Sequence, residues 1–233
     1  MNNTLLKLKI EQRLNKLSSQ DYSNIKPWMI IEAFNKAQSE WIRRNLHGNN
    51  LYKEGDEQSV RRIDDLQILL TSVFLTFTQN SIYTIGQIPA NYMQFKRLDV
   101  EAKKDCCKDL RNMRSFMIEE AMVNQYINNE NSKPSFEWGE TFFTMMGNEI
   151  HIYHNNDFIV NKASLIYYRF PRKIEIAGVL NPETGILSTV DVTSELKDDL
   201  LELIVDDAAS ILAGDMESFN QYQRESQNSD KNN

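Results

Sequence analysis

Residues 164–171, SLIYYRFP, and residues 196–219, LKDDLLELIVDDAASILAGDMESF, decide the fold of this chain. The first stretch predicts a strand that ends before Pro171, because proline has no N–H to give to a strand ladder. The second stretch predicts a long helix with more apolar residues than one amphipathic face needs. We expect such a helix to have partners on more than one side, which favours an assembly protein over an enzyme.

Composition sets the next limits on the fold and the partners. The chain has 233 residues, a formal net charge of -7 and a pI near 5.1. That length suits one large domain or two small ones. The acidic balance argues against a broad basic surface that would bind nucleic acid. No apolar run approaches the roughly 18 residues of a membrane span, and the charged N-terminus differs from a signal peptide, so no membrane contact is expected.

Three helices are predicted at the start of the chain, from apolar residues that recur three and four positions apart. The first helix carries Leu6 and Ile10 on one face. The second begins at Pro27, whose missing N–H costs nothing there, and ends at Gly48. The third is predicted over residues 59–77. We expect these helices to pack with the long helix near the C-terminus.

The middle of the chain predicts strands, with one short helix over residues 119–129. The strands are expected at residues 81–88, 93–104, 114–118, 136–146, 149–154 and 163–170. Because helices and strands come in separate blocks, the predicted fold class is α+β. The expected architecture is a helical bundle, made of three N-terminal helices and the long C-terminal helix, with an inserted antiparallel β lobe.

The expected division of the chain follows from these blocks. Residues 1–80 supply the N-terminal helices, and residues 81–175 form the inserted β lobe. Residues 176–219 form a loop and the long helix that completes the bundle. Residues 220–233 are almost entirely polar, so we expect a flexible tail in the free chain.

The long helix carries a set of carboxylates that suggests two interpretations. Asp199, Glu202 and Asp206 are three and four residues apart, so they share one helix face. Such a face could bind a divalent cation, as nucleases do. The alternative is a solvated face, or a face that meets arginines of a neighbouring chain. We favour this alternative, because no nearby histidine or lysine completes a nuclease site.

Other residues with metal or redox chemistry are in unfavourable patterns. His151 and His154 fall in a predicted strand, where positions three apart point to opposite faces. Cys106 and Cys107 are adjacent in sequence, and we interpret them as ordinary thiols rather than as a redox switch or a metal site. No glycine-rich phosphate loop and no catalytic serine or zinc motif is present. No metal or other cofactor is therefore expected.

Basic pairs and one tryptophan are the remaining candidates for contacts with partners. Arg43 with Arg44, and Arg61 with Arg62, lie on predicted helices. They could bind phosphates, but in an acidic chain we favour salt bridges or an interface. Trp138 is either a core residue of the β lobe or an interface anchor, since aromatic residues are enriched in both places.

Several stretches of the chain together resemble a known family. They are residues 33–38 (AFNKAQ) with Trp41, 53–58 (KEGDEQ), 61–67 (RRIDDLQ), 134–142 (PSFEWGETF), 165–171 (LIYYRFP) and 206–215 (DDAASILAGD). With them the chain resembles the head-to-tail adaptor (ring) proteins of short-tailed bacteriophages, and most closely the first ring protein of the crAss-like phages. The resemblance spans most of residues 4–222.

The resemblance implies a structural virion protein with no enzymatic activity. It implies a homo-oligomeric ring, expected to be a dodecamer, that binds below the portal protein and docks the next tail ring protein. Genomic DNA would pass through the channel without specific binding, and assembly would take place in the host cytoplasm. We expect the β lobe and the tail, including Tyr222 and Arg224, to contact the portal or the next ring. The alternatives are a metal-dependent nuclease and a nucleic-acid-binding module.

Overall fold

The chain divides into two compact units. The computed structural model describes residues 1–15, 25–47, 65–104 and 110–215. The β unit is Leu69–Phe170, and the helical unit combines Met1–Ile68 with Pro171–Asn233. The β unit is thus an insertion between two parts of the chain that build the helical unit.

The described residues contain four α-helices. They are α1 (Asn3–Asn15), α2 (Pro27–His47), α3 (Val123–Asn128) and α4 (Asp198–Asp215). A helical stub at residues 65–66 runs into a 3-10 turn at Gln67–Leu69. Pro27 is the first residue of α2, where its fixed φ suits a helix start.

The helical unit is built around α4. Both α1 and α2 pack on this helix. Apolar positions occupy most of the circumference of α4, so its buried residues point in several directions around the helix axis. These buried apolar residues are Leu200, Leu201, Ile204, Val205, Ala208, Ala209, Leu212 and Ala213. Leu6 and Ile10 of α1 and Phe34 of α2 are fully buried. Fully burying an aliphatic side chain contributes about 1.5–3 kcal/mol, so these contacts dominate the stability of the unit.

The β unit is one eight-stranded mixed sheet. Its strands are β1 (Leu70–Phe74), β2 (Phe77–Gln79), β3 (Tyr83–Gln87), β4 (Tyr92–Lys103), β5 (Arg111–Met117), β6 (Glu140–Met146), β7 (Glu149–Tyr153) and β8 (Ile159–Arg169). Their order across the sheet is β1-β8-β4-β5-β6-β7-β3-β2. Among the described strands only the β5–β6 pair is parallel, and α3 with a preceding 3-10 turn, Glu120–Met122, forms part of the connection between these two strands.

The sheet curls so that its two edge strands, β1 and β2, come close together. In an open sheet β1 and β2 would lie about 33 Å apart, at about 4.8 Å per strand. Yet only Leu75 and Thr76 separate them, and three Cα steps reach at most about 11 Å. The N–H of Leu75 donates to the carbonyl of Ala163 on β8 at 2.9 Å, while the carbonyl of Thr76 accepts from Gln87 on β3 at 3.3 Å. The segment therefore passes from one edge to the other, which gives a half-barrel.

Successive residues of the strands supply two separate cores. Phe143, Ile150 and Ile152 belong to the larger core of the β unit. Phe142 and Tyr153 belong to a smaller cluster with Val123 at the start of α3. Strand side chains alternate between faces, so α3 and the turn before it cover the second face of the sheet.

The expected fold, a helical bundle with an inserted antiparallel lobe, is wrong. The sheet has eight strands, is mixed, and is half of the described architecture rather than a small lobe. The error begins with the third helix predicted over residues 59–77. Leu70–Phe74 instead pairs with β8, and Phe77–Gln79 pairs with β3. Residues 59–64 of that expected helix lie outside the described residues.

The physical reason is that the apolar spacing in this stretch fits both structures. Leu70, Val73 and Phe77 fall on one helical face, but Thr71 and Val73 are β-branched and suit a pleated strand. Pairing with β8 and β3 then satisfies the backbone hydrogen bonds that a helix would have made internally. Tertiary pairing decides the outcome, and the β unit begins at Leu69.

Candidate interaction site

The acidic face of α4 is matched by cations of the same chain. Arg13 of α1 forms ion pairs with Glu202, Nη2 to Oε2 at 3.1 Å, and with Asp206. Lys9 also pairs with Glu202. Asp199 lies exposed in the first turn of α4, where a carboxylate complements the helix dipole. Two of the three carboxylates proposed for a cation are therefore used to hold α1 against α4.

The arginine pair Arg43–Arg44 is divided between two environments. Arg44 pairs with Asp207 of α4, Nη1 to Oδ2 at 3.2 Å, whereas Arg43 is exposed. The other predicted contact residues, Arg61, Arg62, Tyr222 and Arg224, lie outside the described residues, as do Cys106 and Cys107. Within the described part of the helical unit, Arg43 is thus the predicted arginine that stands available to a partner.

The apolar surplus of the long helix has partners inside the chain. The sequence argument for assembly relied on this surplus needing more than one partner. The structure supplies those partners as α1 and α2, which both pack on α4. The apolar residues of α4 are therefore not a surface for assembly.

The two histidines, His151 in the middle of β7 and His154 just after it, occupy different surroundings. The ring of His151 stacks on Tyr83 with centroids 5.0 Å apart, and its Nε2 lies 3.3 Å from Glu149. His154 is buried, and its Nδ1 accepts a hydrogen bond from the N–H of Asn156. Burial lowers the pKa of His154. In the described residues no cluster of three or more His, Cys, Asp or Glu side chains could hold a metal ion.

Trp138 is displayed on a tight turn rather than buried in the β unit. The residue is 81% exposed, the largest value among the exposed large apolar residues in the described part of the chain. The turn, residues 135–140, is closed by two backbone hydrogen bonds between Ser135 and Glu140, at 2.9 and 3.1 Å. Gly139 within it has φ +68°, a conformation that glycine adopts without strain. We call these six residues the Trp138 turn.

Arg111 of β5 holds the Trp138 turn from one side. Its Nη1 donates to the carbonyls of Phe136 at 2.9 Å and Glu137 at 2.7 Å. The guanidinium packs so closely that a Cβ on Gly139 would lie 3.0 Å from the Arg111 Nε. The backbone around Trp138 is therefore fixed by contacts that leave the indole itself in solvent.

Asp157 holds the same turn from the other side. Its Oδ2 accepts from the N–H of Phe136 at 2.7 Å, and its Oδ1 pairs with Lys104 at 2.7 Å. Burial acts to raise the pKa of Asp157, but the hydrogen bonds from Lys104 and Phe136 outweigh it and lower that pKa. Asp157 is thus a fixed negative charge beneath the turn.

A cavity of about 490 Å³ opens beside the Trp138 turn. Trp138 lines it together with Glu130, Lys133, Pro134, Ser135, Glu137, Asn155, Asn156 and Asp157. Three of these residues are carboxylates and one is a lysine. The cavity is therefore polar, with an excess of negative charge next to an exposed aromatic ring.

A second exposed surface lies in the helical unit, on residues 175–192, which we call the arm. Glu175 and Val192 exchange two backbone hydrogen bonds at its base, at 3.0 and 2.9 Å, and Asn181 closes its tip. Asn3 of α1 donates to the carbonyls of Glu175 at 2.8 Å and Val192 at 2.9 Å. The arm is thus an ordered hairpin that is fastened to α1.

The arm exposes aliphatic side chains that have no cover in the described chain. Ile186 is 69% exposed, Leu187 60% and Val190 56%. The sequence interpretation described this segment only as a loop. The available signal was the pair of apolar stretches on either side of Pro182 and Gly185, a spacing typical of a hairpin.

No protein-family model matches the chain, and no curated protein matches it. None of the described helices has both the length and the apolar character that crossing a membrane would need.

Proposed function

We propose that this chain is a structural subunit of a head-to-tail connector ring, which binds below the portal of a short-tailed bacteriophage and docks the next tail ring. The resemblance in sequence to the adaptor family motivates the class. The observation that carries the proposal is the arm, a hydrogen-bonded hairpin that presents Ile186, Leu187 and Val190 to solvent. Ordered apolar surface of this kind is typical of a protein–protein contact.

A ring requires each copy to contact the next through two different surfaces. The arm in the helical unit and the Trp138 turn in the β unit are two such surfaces, and each is already ordered in the single chain. Ordering in advance reduces the entropy lost on association. An interface between neighbours in a stable ring would bury about 2,000 Å² or more, so further residues must join these surfaces.

The alternative functions receive less support from the site. A metal-dependent nuclease would need the carboxylates of α4 to converge on a cation, but Glu202 and Asp206 pair with Lys9 and Arg13. A nucleic-acid-binding module would need a basic surface, whereas the chain carries a net charge of -7 and Arg44 pairs with Asp207. An acidic channel fits DNA that passes without adhering, because contact would release no counterions.

The proposal is tested by measuring assembly of the purified chain, alone and with its portal protein. Light scattering after gel filtration and electron microscopy should detect closed rings, alone or on the portal. The double variant Ile186→Asp/Leu187→Asp should reduce ring formation at least tenfold, because it places two charges in the apolar contact. Thr184→Asp is the matched control, since it adds a charge to the arm tip without removing apolar surface.

Two results would argue against the connector ring. One is a wild-type chain that stays monomeric at every concentration and does not bind the portal protein. The other is an arm variant that forms rings as well as Thr184→Asp does. Circular dichroism of each variant verifies that the helical unit is folded, so that a loss of assembly reports on the contact.

A further inference from the structure

We propose that the Trp138 turn and its cavity form a binding site for an arginine side chain of a partner protein. The inference deepens the proposed function, because it names the chemistry of a partner, and it rests on that function for the presence of a protein partner. The turn joins an exposed indole to a polar cavity of about 490 Å³.

Trp138 is held in an exposed position by a rigid backbone. Trp138 is 81% exposed, so it adds almost nothing to the core of the β unit. Yet the backbone on both sides of it is fixed by Arg111, Asp157 and the Ser135–Glu140 hydrogen bonds. Tryptophan is one of the three residue types enriched among the hot spots of protein interfaces. The rigid turn would lose little entropy when a partner binds.

The cavity beside the indole carries an excess of negative charge. Glu130 and Glu137 line the cavity, and neither forms an ion pair within the described residues. The charge of Asp157 is already matched by its ion pair with Lys104. Glu130 and Glu137 against Lys133, the one cation among the lining residues, still leave an excess of negative charge. A ligand that offsets this excess must carry positive charge.

Arginine matches both features at once. Its planar guanidinium can stack on an aromatic ring and still donate hydrogen bonds to a carboxylate in its own plane. A lysine ammonium lacks the planar face, and a neutral polar side chain lacks the charge. The lining of the cavity also includes Asn155 and Asn156, whose side-chain carbonyls can accept further hydrogen bonds from a guanidinium.

The site can be tested on the isolated chain with a capped tripeptide, acetyl-Gly-Arg-Gly-amide. The readout is the indole N–H resonance of Trp138 in a nitrogen–proton NMR spectrum, which is assigned by its loss in Trp138→Phe. We expect a saturable shift of this resonance that weakens as salt rises. The same peptide with citrulline in place of arginine keeps the shape without the charge, and it should bind at least tenfold more weakly.

Removing the carboxylates of Glu130 and Glu137 is the second part of the test. Glu130→Gln/Glu137→Gln should weaken binding of the arginine peptide about threefold to tenfold, as expected for two exposed ion pairs. The control is Glu119→Gln, a removal of negative charge on the same unit at a residue that does not line the cavity. Both variants keep the Trp138 resonance, so loss of folding is detected in the same spectrum.

Three results would overturn the arginine site: no shift at any peptide concentration, an equal shift with citrulline, or a shift with methyl glucoside but none with the arginine peptide. The last result would assign the cavity to a carbohydrate. Because the peptide experiment uses the single chain, its failure leaves the ring experiment untouched. A failed ring experiment with successful peptide binding would instead reject the connector while keeping the site.

Discussion

Arg44 on α2 and Asp207 on α4 form an ion pair, with Nη1 and Oδ2 3.2 Å apart and the Asp207 carboxylate buried. Arg44→Met should lower the free energy of unfolding by about 1.5–3 kcal/mol, the usual loss for a hydrogen bond to a charged group. Urea unfolding followed by circular dichroism measures the change. Arg43→Met is the matched control, because Arg43 is exposed, and it should change stability by less than about 0.5 kcal/mol.

Equal effects of the two substitutions would contradict the assignment of Arg44 to an internal ion pair. If Arg43→Met reduced ring assembly but left the free energy of unfolding unchanged, that result would support the predicted role of Arg43 as a partner contact. The two neighbouring arginines therefore separate folding from assembly within one experiment.

Gly86 on β3 faces Leu75, the residue that carries the chain from one edge of the sheet to the other. A Cβ at Gly86 would lie 2.9 Å from Leu75 Cδ1 and 3.3 Å from Leu75 Cβ. Gly86→Ala should therefore destabilise the β unit by about 1–3 kcal/mol through overpacking. Urea unfolding of Gly86→Ala, Leu75→Ala and the double variant gives a double-mutant cycle.

We expect the two substitutions to be less destabilising together than the sum of their separate effects. Leu75→Ala alone should cost about 2–5 kcal/mol, because Leu75 is buried in the larger core. Once the leucine is shortened, the added methyl group at Gly86 has room, so the double variant should be more stable than the sum of the single losses predicts. Strictly additive losses would show that the two residues are not in tight contact.

The sequence predicted most of the individual strands correctly, and local signals explain why. The strand expected at residues 93–104 is β4 at Tyr92–Lys103, and the strand at residues 149–154 is β7 at Glu149–Tyr153. Gly147, in the turn between β6 and β7, has φ +60°, as a tight hairpin turn requires. These features depend on residues close in sequence.

The features that sequence could not supply depend on distant contacts. Residues 70–79 fit a helix as well as a strand until β8 and β3 offer pairing partners. The exposure of Trp138 likewise depends on Arg111 and Asp157, which are 27 and 19 residues away along the chain. The sequence interpretation left core and interface roles for Trp138 equally open, and the structure excludes the core.

His154 should make the stability of the chain depend on pH in a window near neutrality. Burial lowers its pKa in the folded state below the ordinary value of 6.5. As pH falls through 6.5, His154 becomes protonated in the unfolded state but stays neutral in the folded state. The free energy of unfolding therefore decreases until the pH reaches the pKa of His154 in the folded state. Between pH 7.5 and 5.5, His154 alone should change the free energy of unfolding by at most about 1.4 kcal/mol for each pH unit.

His154→Gln tests the source of that pH dependence. Glutamine does not titrate, and its side-chain carbonyl can still accept from the N–H of Asn156. The variant should lose stability by a smaller amount than the wild type between pH 7.5 and 5.5. Asp157 does not interfere, because its pKa is lowered from 3.8 and its contribution is lost only below this window. An unchanged pH dependence in His154→Gln would assign the effect to another group.

Arg111→Met should weaken binding at the Trp138 turn although Arg111 does not line the cavity. The substitution removes the hydrogen bonds to the carbonyls of Phe136 and Glu137 and leaves the turn freer to move. Binding of acetyl-Gly-Arg-Gly-amide should fall several-fold, because ordering the turn would then oppose binding. Amide hydrogen exchange of Trp138 and Gly139 should become faster in the same variant. Arg97→Met, on β4 of the same unit and with a 66% exposed side chain that pairs with Asp99, is the control and should alter neither measurement. Faster exchange with unchanged peptide affinity would mean that the rigidity of the turn serves the fold of the β unit and not the recognition of arginine.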